Sequence, residues 1–598
     1  PIATATPPAA ASDDADGAAD DTAITSSADA ATDDAVVLPE MRTDLASNGW
    51  AIGSELSDTG GGLLLANPHF PWEGERRLWE SQLTLTTGEL NVYGATLSGV
   101  PGVLIGFNDA VAWTHTVSAG YRMTLYELTL TPDDPTSYVY GDDAEAMTPT
   151  DITIEVLGDD GSTDEVTRTM WSSHYGPMLN LPFGWSTEKA YTYRDANLDN
   201  ADILGQFFGM NQATSMDEFI EAHREFNGIP WVNTMATSAD GQAWYADTAS
   251  APNLSDDTIA EWQAAVDSGA LAAVILDNGA ILLDGSNPAN EWVDDPAATR
   301  PGILPFDEQP QLLRDDFIFN ANDSHWLANP DELLTGYSPM TGAEEIPQSA
   351  RTRMNVALLT DPELRGTDGK FSLAEIQAAI FSNRSMHADL LLKQVLDVCE
   401  NASTPELDND RGPVDLTDTC DVLRDWDGTY GIDSVGAVLW REFMNRFDNT
   451  DMTDAGALYA VGFDPTDPAG TPNTLNADPE PIVQALAEAT FGLVEAGFGV
   501  DAVLGDLQFD GRTVDEHIPL PGGTWADGTA SIVGCCSGSN STAETGTRGT
   551  WSDIYSFSNI GYPVSFGNSF MMTLQFTDDG PVAEALLNYG QPDDPADP

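Results

Sequence analysis

The stretch that decides the fold is Ala46-Ser47-Asn48-Gly49-Trp50, followed after an apolar turn by Leu64-Leu65-Ala66-Asn67-Pro68-His69-Phe70-Pro71-Trp72. Ser47 stands between a small residue and an asparagine, just after an acidic segment, which predicts cleavage between Ala46 and Ser47. Cleavage would give Ser47 both a hydroxyl group and a free α-amine, whose pKa of about 8 suits a general base. A lone serine before asparagine is more often a turn or a helix cap, so the rest of the sequence has to support this interpretation.

The composition indicates a large globular protein with an acidic surface. The chain has 598 residues, of which 41% are hydrophobic, and this is enough to bury a sizeable core. Its formal net charge is −75, from 97 acidic and 22 basic residues, so we expect no nucleic-acid partner. Self-repulsion of this size predicts adaptation to high salt, which screens charge. An acidic protein from ordinary surroundings is the alternative.

The first residues are expected to be a disordered spacer. Residues 1–46 are rich in Ala, Asp, Thr, Ser and Pro, a composition that cannot offset its ordering entropy. The chain opens with Pro, and no apolar stretch is long enough for a signal sequence or a membrane span, so we expect a fragment or a processed product.

The remaining sequence predicts sheets first and helices later, which is an α+β class. Short runs separated by turn residues predict strands at 51–54, 62–66, 78–85, 90–96, 103–107 and 110–116. Helical periodicity predicts helices at 216–223, after a Ser215 cap, and at 373–381, where Ser372 and Glu375 form a capping box. Further helices are predicted at 390–399, 435–447 and 481–497.

Several further motifs follow one another along the chain. The set is Ser47-Asn48-Gly49-Trp50, Leu64 to Trp72, Gly99-Val100-Pro101-Gly102, Gly106-Phe107-Asn108-Asp109, Ala112-Trp113-Thr114-His115-Thr116, Gly228-Ile229-Pro230-Trp231-Val232-Asn233-Thr234, Asn320-Ala321-Asn322-Asp323-Ser324 and Arg351-Thr352-Arg353. This set resembles the penicillin acylase family of N-terminal-nucleophile hydrolases, and most closely its acyl-homoserine-lactone acylase branch.

That resemblance implies a four-layer αββα sandwich over residues 47–598 and a removable spacer before Ser47. It also implies a helical α-subunit that completes an αβ heterodimer; we expect this subunit to be missing here and the C-terminus to stop early. The family's place in the cell implies a periplasmic or extracellular location.

The resemblance also assigns catalytic roles. Ser47 would attack the amide, with its α-amine as the base, and His69 would orient that amine; a core histidine bonded to a backbone carbonyl is the alternative for His69. The backbone N–H of Val117 and the side-chain amide of Asn322 would stabilise the oxyanion.

Two of these assignments have neighbouring competitors. Asn320 competes with Asn322 for the oxyanion role, and an Asx-turn is the other interpretation of Asn322. Arg351 would hold the amine and the asparagine, and a cation there would keep the pKa of the amine low. Structural ion pairing is the rival interpretation for Arg351 and for Arg353.

Further implied features concern the substrate, metals and cysteines. The positions that line the acyl pocket in the family are Phe70, Trp72, Val100, Val103, Phe207 and Trp231, although aromatic residues beside strands are usually core. The family's calcium ligands fall on Tyr121 and Thr124, which are not acids, so we expect no cofactor. A disulfide is implied for Cys399 and Cys420, whereas adjacent Cys535 and Cys536 are given no role.

The expected function is autoprocessing followed by hydrolysis of N-acyl-homoserine lactones, which would quench quorum signals. A β-lactam acylase that takes penicillins or cephalosporins is the alternative within the class. A non-enzymatic, unprocessed extracellular binding protein is the alternative of another class.

Overall fold

The computed structural model describes residue 7 and residues 46–158, 161–181, 184–408, 411–512, 517–534, 552 and 555–591. The predicted spacer, apart from residues 7 and 46, and the pair Cys535 and Cys536 therefore lie outside the described residues.

Strands dominate the first part of the chain, and helices become frequent after residue 200. The strands are β1 Ala46–Ile52, β2 Leu63–Pro71, β3 Leu78–Thr84, β4 Asn91–Leu97, β5 Ile105–Phe107, β6 Val111–Val117, β7 Met123–Thr131, β8 Asp134–Tyr140, β9 Asp143–Ala146, β10 Thr148–Leu157, β11 Thr163–Ser172, β12 Met178–Leu179, β13 Lys189–Asp195, β14 Val232–Ser238, β15 Ala243–Ala246, β16 Ile281–Asp284, β17 Gln311–Arg314, β18 Phe317–Asn320, β19 Glu406–Leu407, β20 Gly412–Pro413, β21 Tyr459–Val461, β22 Asn473–Leu475, β23 Gln508–Asp510, β24 Val533–Gly534, β25 Tyr562–Val564, β26 Phe566–Asn568, β27 Phe570–Thr577 and β28 Gly580–Leu587.

The α-helices are α1 Ile203–Gln212, α2 Met216–Phe226, α3 Asp256–Asp267, α4 Leu271–Asp277, α5 Ala350–Thr360, α6 Leu373–Ile380, α7 Met386–Asn401, α8 Thr417–Asp425, α9 Ala437–Met444, α10 Asn449–Thr453, α11 Glu480–Ala496 and α12 Leu504–Leu507. The predicted Ser215 cap and the Ser372 and Glu375 capping box are both confirmed.

The chain divides into two compact units. Unit 1 contains Tyr121–Asn200 and Ser250–Pro305, and unit 2 contains Asp44–Gly120, Ala201–Ala249 and Phe306–Pro598. The sequence predicted one domain from 47 to 598 and gave no sign of this division, because unit 1 is assembled from two separate segments.

Within the described part of unit 2, two seven-stranded sheets carry the architecture. The first sheet has the order β18-β1-β2-β26-β24, with β27 paired to β2 and β28 paired to β27. The second sheet has the order β17-β15-β14-β6-β5-β4-β3. The sheets pack face to face through a shared apolar core that includes Ala51, Leu64, Ala112, Met235 and Tyr245.

Helices cover the outer faces of both sheets in unit 2. Leu63 and Leu65 of the first sheet pack with Met354 and Leu358 of α5 and with Ile376 of α6. On the second sheet, Trp113 and Ala236 pack with Phe207 of α1 and Phe219 of α2. The order helix, sheet, sheet, helix confirms the four-layer αββα sandwich and the α+β class.

Unit 1 is built on its own sheet. In the described residues, that sheet has the order β12-β13-β7-β8-β9, with β16 parallel to β7. Its core includes Leu125, Leu179, Tyr191 and Ile275. Strands β10 and β11 form a separate antiparallel ribbon.

No single helix within the described ranges is long and apolar enough to span a membrane, although the bent pair α3 and α4 passes that test by length and composition.

Candidate active site

Ser47 lies inside strand β1 and is fully buried. Strand β1 pairs with β2, so Ala46 stands opposite His69 and Ser47 opposite Pro68. Ser47 is joined to Ala46 by a peptide bond in this structure, which therefore shows the uncleaved chain, and Ser47 Oγ contacts the Ala46 carbonyl oxygen. The backbone N–H of Ser47, which cleavage would turn into the α-amine, donates to Asn322 Oδ1 at 2.6 Å.

Asn322 follows β18 and connects Ser47 to two other site residues. Its backbone φ of +74° is left-handed, a conformation that asparagine tolerates better than most residues. Its Oδ1 accepts from Ser47 N and from Arg351 Nη2, the latter at 2.9 Å, and its Nδ2 donates to the Val117 carbonyl at 3.0 Å.

The competing asparagine, Asn320, does not contact Ser47. Its Oδ1 accepts from Thr116 Oγ1 at 2.6 Å and from the Asn322 backbone N–H at 2.7 Å. Asn320 therefore supports the loop that presents Asn322.

Arg351 stands in the first turn of α5 and is 3% exposed. Its Nη1 donates to the Ser47 carbonyl at 2.6 Å and to Asn48 Oδ1 at 3.0 Å. Burial lowers the pKa of Arg351 to about 10, so it still carries its charge at neutral pH. Arg353 instead donates to the carbonyls of Ala469 and Pro472, which is a structural role.

Val117 ends strand β6 on the other side of Ser47. It stands opposite Val232 of β14, and the next N–H, that of Ser118, donates to the Trp231 carbonyl at 3.1 Å. Because successive N–H groups of a strand point to opposite edges, the N–H of Val117 points away from β14. Its direction is compatible with the oxyanion role, which stays a prediction.

His69 is fully buried beside the first residues of β1. Its Nε2 lies 3.0 Å from Asn67 Oδ1. Burial first, and then the charge of Arg351, hold the pKa of His69 well below its ordinary value, so the ring is neutral. In the uncleaved chain the imidazole therefore belongs to an asparagine cluster, and its predicted role toward the α-amine stays untested.

A cavity of about 300 Å³ opens beside Ser47. Most of its wall is apolar; the lining residues are Ser47, Phe70, Leu78, Leu97, Gly99, Val100, Pro101, Leu104, Ile105, His115, Thr116, Val117, Ile203, Leu204, Phe207, Pro230, Trp231 and Val232. Four predicted pocket residues, Phe70, Val100, Phe207 and Trp231, are among them. The rings of Phe70 and Trp231 stack with centroids 6.3 Å apart.

Two predicted pocket residues, Trp72 and Val103, lie elsewhere. Strand β2 ends at Pro71, so the alternation of faces stops there, and the Trp72 indole N–H donates to the Asn568 carbonyl. Val103 precedes β5 and packs in the core between the second sheet and α1.

Sequence reasoning missed the histidine of the cavity wall. His115 Nδ1 lies 3.0 Å from the Asn233 carbonyl, which only accepts, so Nδ1 carries the proton. Burial lowers the pKa of His115 to about 4, and the ring is therefore neutral. The available signal was its place in the Trp113-Thr114-His115-Thr116 motif, two residues before Val117.

The described residues contain no group of three or more His, Cys, Asp or Glu side chains placed to hold a metal ion. The Tyr121 ring meets Trp262 edge to face, and Thr124 Oγ1 accepts from the Trp292 indole N–H at 3.0 Å. The expectation about calcium remains a prediction. Cys399 of α7 and Cys420 of α8 form a disulfide, with Cα atoms 5.7 Å apart.

Comparison with known proteins agrees with this geometry. The penicillin amidase family model matches residues 5–598. The chain is 34% identical over 559 residues to "Acyl-homoserine lactone acylase PvdQ" of Pseudomonas syringae pv. syringae (strain B728a), a match that covers 92% of this chain and 66% of the relative. It is 32% identical over 581 residues to "Aculeacin-A acylase" of Actinoplanes utahensis, covering 94% of this chain and 67% of the relative.

Among solved structures, the thermostable penicillin G acylase from Alcaligenes faecalis matches with a TM-score of 0.55 at 16% identity, covering 91% of each chain. This likeness supports the fold. The chain spans slightly less than two thirds of the length of the first of the relatives above. With the family model matching nearly all of its residues, the chain belongs to the penicillin amidase family.

Proposed function

We propose that the chain is the catalytic part of an N-terminal-serine amidohydrolase that cleaves the amide bond of N-acyl-homoserine lactones. One observation carries the proposal. Ser47 lines an apolar cavity, its backbone N–H donates to Asn322, and its carbonyl accepts from Arg351. After cleavage, the α-amine would accept the proton of Ser47 Oγ, and Oγ would attack the acyl carbonyl carbon. The cavity would hold the acyl chain.

The name of the relative in Pseudomonas syringae supports the lactone as the leaving group. Quenching of quorum signals would be the biological effect. An α-subunit is the proposed partner, and a periplasmic or extracellular location is supported by the disulfide, which persists in oxidising compartments.

A β-lactam acylase remains the second candidate, because the solved structure with the same fold is named a penicillin G acylase. The aculeacin-A acylase among the relatives shows that the family includes acylases named for another compound. The substrate therefore has to be decided by experiment.

The test compares hydrolysis of N-dodecanoyl-homoserine lactone and of penicillin G by the complete protein, produced with its proposed α-subunit, and by its Ser47→Ala variant. We expect release of homoserine lactone by the wild type, with a kcat at least about 10⁴-fold lower in S47A. The intact mass of S47A should show no cleavage between Ala46 and Ser47.

Faster release of the penicillin nucleus than of homoserine lactone would favour the second candidate. Full activity of S47A would refute the proposed mechanism. A wild type that neither cleaves itself nor hydrolyses either compound would support the binding-protein alternative.

A further inference from the structure

The guanidinium of Arg351 is buried beside Ser47, and every hydrogen-bond acceptor that it contacts is neutral. These acceptors are the Ser47 carbonyl, Asn48 Oδ1 and Asn322 Oδ1, at 2.6, 3.0 and 2.9 Å. The chain has 97 acidic residues, so acidic partners are not scarce. Nevertheless, Arg351 forms no ion pair within the described ranges.

Another buried arginine of unit 2 shows the usual arrangement. Arg441 is fully buried, and its Nε lies 2.9 Å from Oδ2 of the equally buried Asp527. A buried charge is normally paired in this way because desolvation without a counter-ion is costly. Arg353 of the same helix is also buried and donates to backbone carbonyls, so Arg351 is distinguished by its position, because its neutral acceptors include the Ser47 carbonyl.

Asn48 contacts the Arg351 guanidinium, and all four hydrogen-bonding positions of its side-chain amide are filled. Its Nδ2 donates to Asn67 Oδ1 at 2.8 Å and to the Ala530 carbonyl at 2.6 Å. Its Oδ1 accepts from Arg351 Nη1 and from Asn355 Nδ2, both at 3.0 Å. These contacts fix the orientation of the amide, so its neutral oxygen always faces the guanidinium.

Asn355 supports the same arrangement from the next turn of α5. Its Nδ2 also donates to the Arg351 carbonyl at 2.8 Å, and its Oδ1 accepts from the Trp50 indole N–H at 2.5 Å. Hydrogen bonds between neutral groups thereby connect strand β1 and helix α5 beside the guanidinium of Arg351.

We infer that Asn48 is a positioning residue, which holds the Arg351 guanidinium against Ser47 and keeps a carboxylate out of hydrogen-bond contact with that guanidinium. The inference rests on the proposed function, in which the α-amine of cleaved Ser47 is the base. A nearby positive charge disfavours the protonated amine, so the free base is available at neutral pH. A carboxylate at position 48 would pair with Arg351 and cancel this effect.

The titratable groups around the Ser47 nitrogen come from three elements. Arg351 approaches from α5, His69 from β2, and Asp323 from the loop after β18. His69 is neutral, as described above. The Asp323 carboxylate accepts from Ser349 N and Ser349 Oγ at the N-terminus of α5, both at 2.8 Å. Its negative charge also acts on Arg351, although it forms no hydrogen bond to the guanidinium, and it partly offsets the effect of burial on the pKa of Arg351.

The experiment measures kcat/KM against pH for hydrolysis of N-dodecanoyl-homoserine lactone by the wild type and by Asn48→Asp. We expect the acidic limb of the N48D profile to lie about one pH unit or more above that of the wild type. The Ala530 carbonyl loses its donor in N48D, so we also expect this variant to be less stable than the wild type.

Asn568→Asp is the matched control. Asn568 belongs to the same run of buried amides, since its Oδ1 accepts from Asn67 Nδ2 at 2.9 Å and its Nδ2 donates to Ser531 Oγ at 2.7 Å. It therefore introduces the same charge one amide further from Arg351, at a position that stands opposite His69. We expect the acidic limb of N568D to stay within about 0.3 pH units of the wild type.

Asn48→Leu provides a second test, because it removes the hydrogen bonds without adding charge. We expect kcat to fall about tenfold or more, with KM within about twofold of the wild type and a shift of the acidic limb smaller than that of N48D, because the charge of Arg351 is less well placed but is not cancelled. An N48D profile that coincides with the wild type, or a shift of equal size in N568D, would overturn the inference. If N48D does not fold or does not cleave itself, an unchanged kcat in N48L would overturn it.

These outcomes separate the two proposals. A wild type without lactone hydrolysis contradicts the proposed function, whereas an active wild type with no N48D shift contradicts only the role of Asn48.

Discussion

Asp247 is a buried carboxyl group that is connected to Ser47 through the end of β6 and Asn322, which bonds both the Val117 carbonyl and the Ser47 N–H. Its side chain is 2% exposed, and the hydroxyl of Ser118, the residue after Val117, donates to Asp247 Oδ2 at 2.8 Å. Burial raises the pKa of Asp247 to about 7. In the unfolded chain the group ionises near its ordinary pKa of about 4.

This difference predicts how stability depends on pH. The folded state binds the proton of Asp247 more tightly than the unfolded state does. The free energy of unfolding therefore falls as pH rises from about 4 to about 7, by up to about 4 kcal/mol. Asp247→Asn removes the ionisation and keeps an acceptor for Ser118. We therefore expect D247N to melt higher than the wild type at pH 8, with a smaller difference at pH 5.

The melting temperatures of both chains should be measured in the S47A background, so that self-cleavage does not interfere. Equal differences at pH 8 and pH 5 would show that Asp247 does not titrate in this range.

The residues of the site were partly predictable from sequence. Ser47, Asn322, Arg351 and Val117 come together, because β1 begins where β6 and β18 end and where α5 begins. Asn355 was missed, since an asparagine inside a helix gives no signal until its strand partner is known.

At the scale of the elements, the second sheet depends on a close approach between β4 and β5. Gly94 stands opposite Gly106, and a Cβ on Gly106 would lie 2.1 Å from the Tyr93 carbonyl oxygen. A backbone atom cannot move aside as a side-chain tip can. The neighbouring Ile105 lines the cavity, so this approach also shapes the proposed acyl pocket.

Gly106→Ala should therefore destabilise the protein by about 1–3 kcal/mol, as overpacking usually does. It should also raise KM for acyl substrates, because the shift of β5 reaches the cavity wall. Thermal unfolding and steady-state kinetics would measure the two effects.

Gly431→Ala is the control, since a Cβ at Gly431 meets nothing within 4 Å and its φ is not left-handed. A G106A variant as stable as G431A would contradict the packing argument.

The strands and helices around the site were harder to predict than their residues. Strand β1 is buried at every position between the second sheet and α5, so it lacks the alternation that marks a strand. Helix α5 is buried on nearly all sides and carries two arginines, so it lacks an apolar stripe. Helix α1 contains Gly205 and Gly209, which pack against Phe226 and lower the helical signal.

At the scale of the whole molecule, charge is the dominant property. The formal net charge of −75 makes carboxylates repel one another across the surface. Raising the ionic strength to about 1 M shortens the Debye length to about 3 Å and should weaken this repulsion.

We therefore expect the melting temperature to rise by several degrees between about 0.1 M and about 1 M sodium chloride. A variant with ten surface Asp or Glu residues changed to Asn or Gln should show a smaller rise. A melting temperature that is independent of salt would contradict the interpretation as a salt-adapted protein.

The layered fold followed from the motifs, whereas the division into two units did not. The motifs lie in unit 2, and they fix its sandwich. Unit 1 is made from residues 121–200 and 250–305, whose strands meet only in the folded chain, as when β16 joins β7 in parallel. Local patterns do not report such distant pairing.

The bond predicted to break lies at the start of a paired strand, and this sets how maturation would proceed. Ser47 and the residues after it are held by β2, and from Gly49 onward also by β18. Scission there would leave the new chain end already anchored on its neighbours. Maturation would then be a local chemical event without refolding, and the near-ultraviolet circular dichroism of the tryptophans should be the same before and after it.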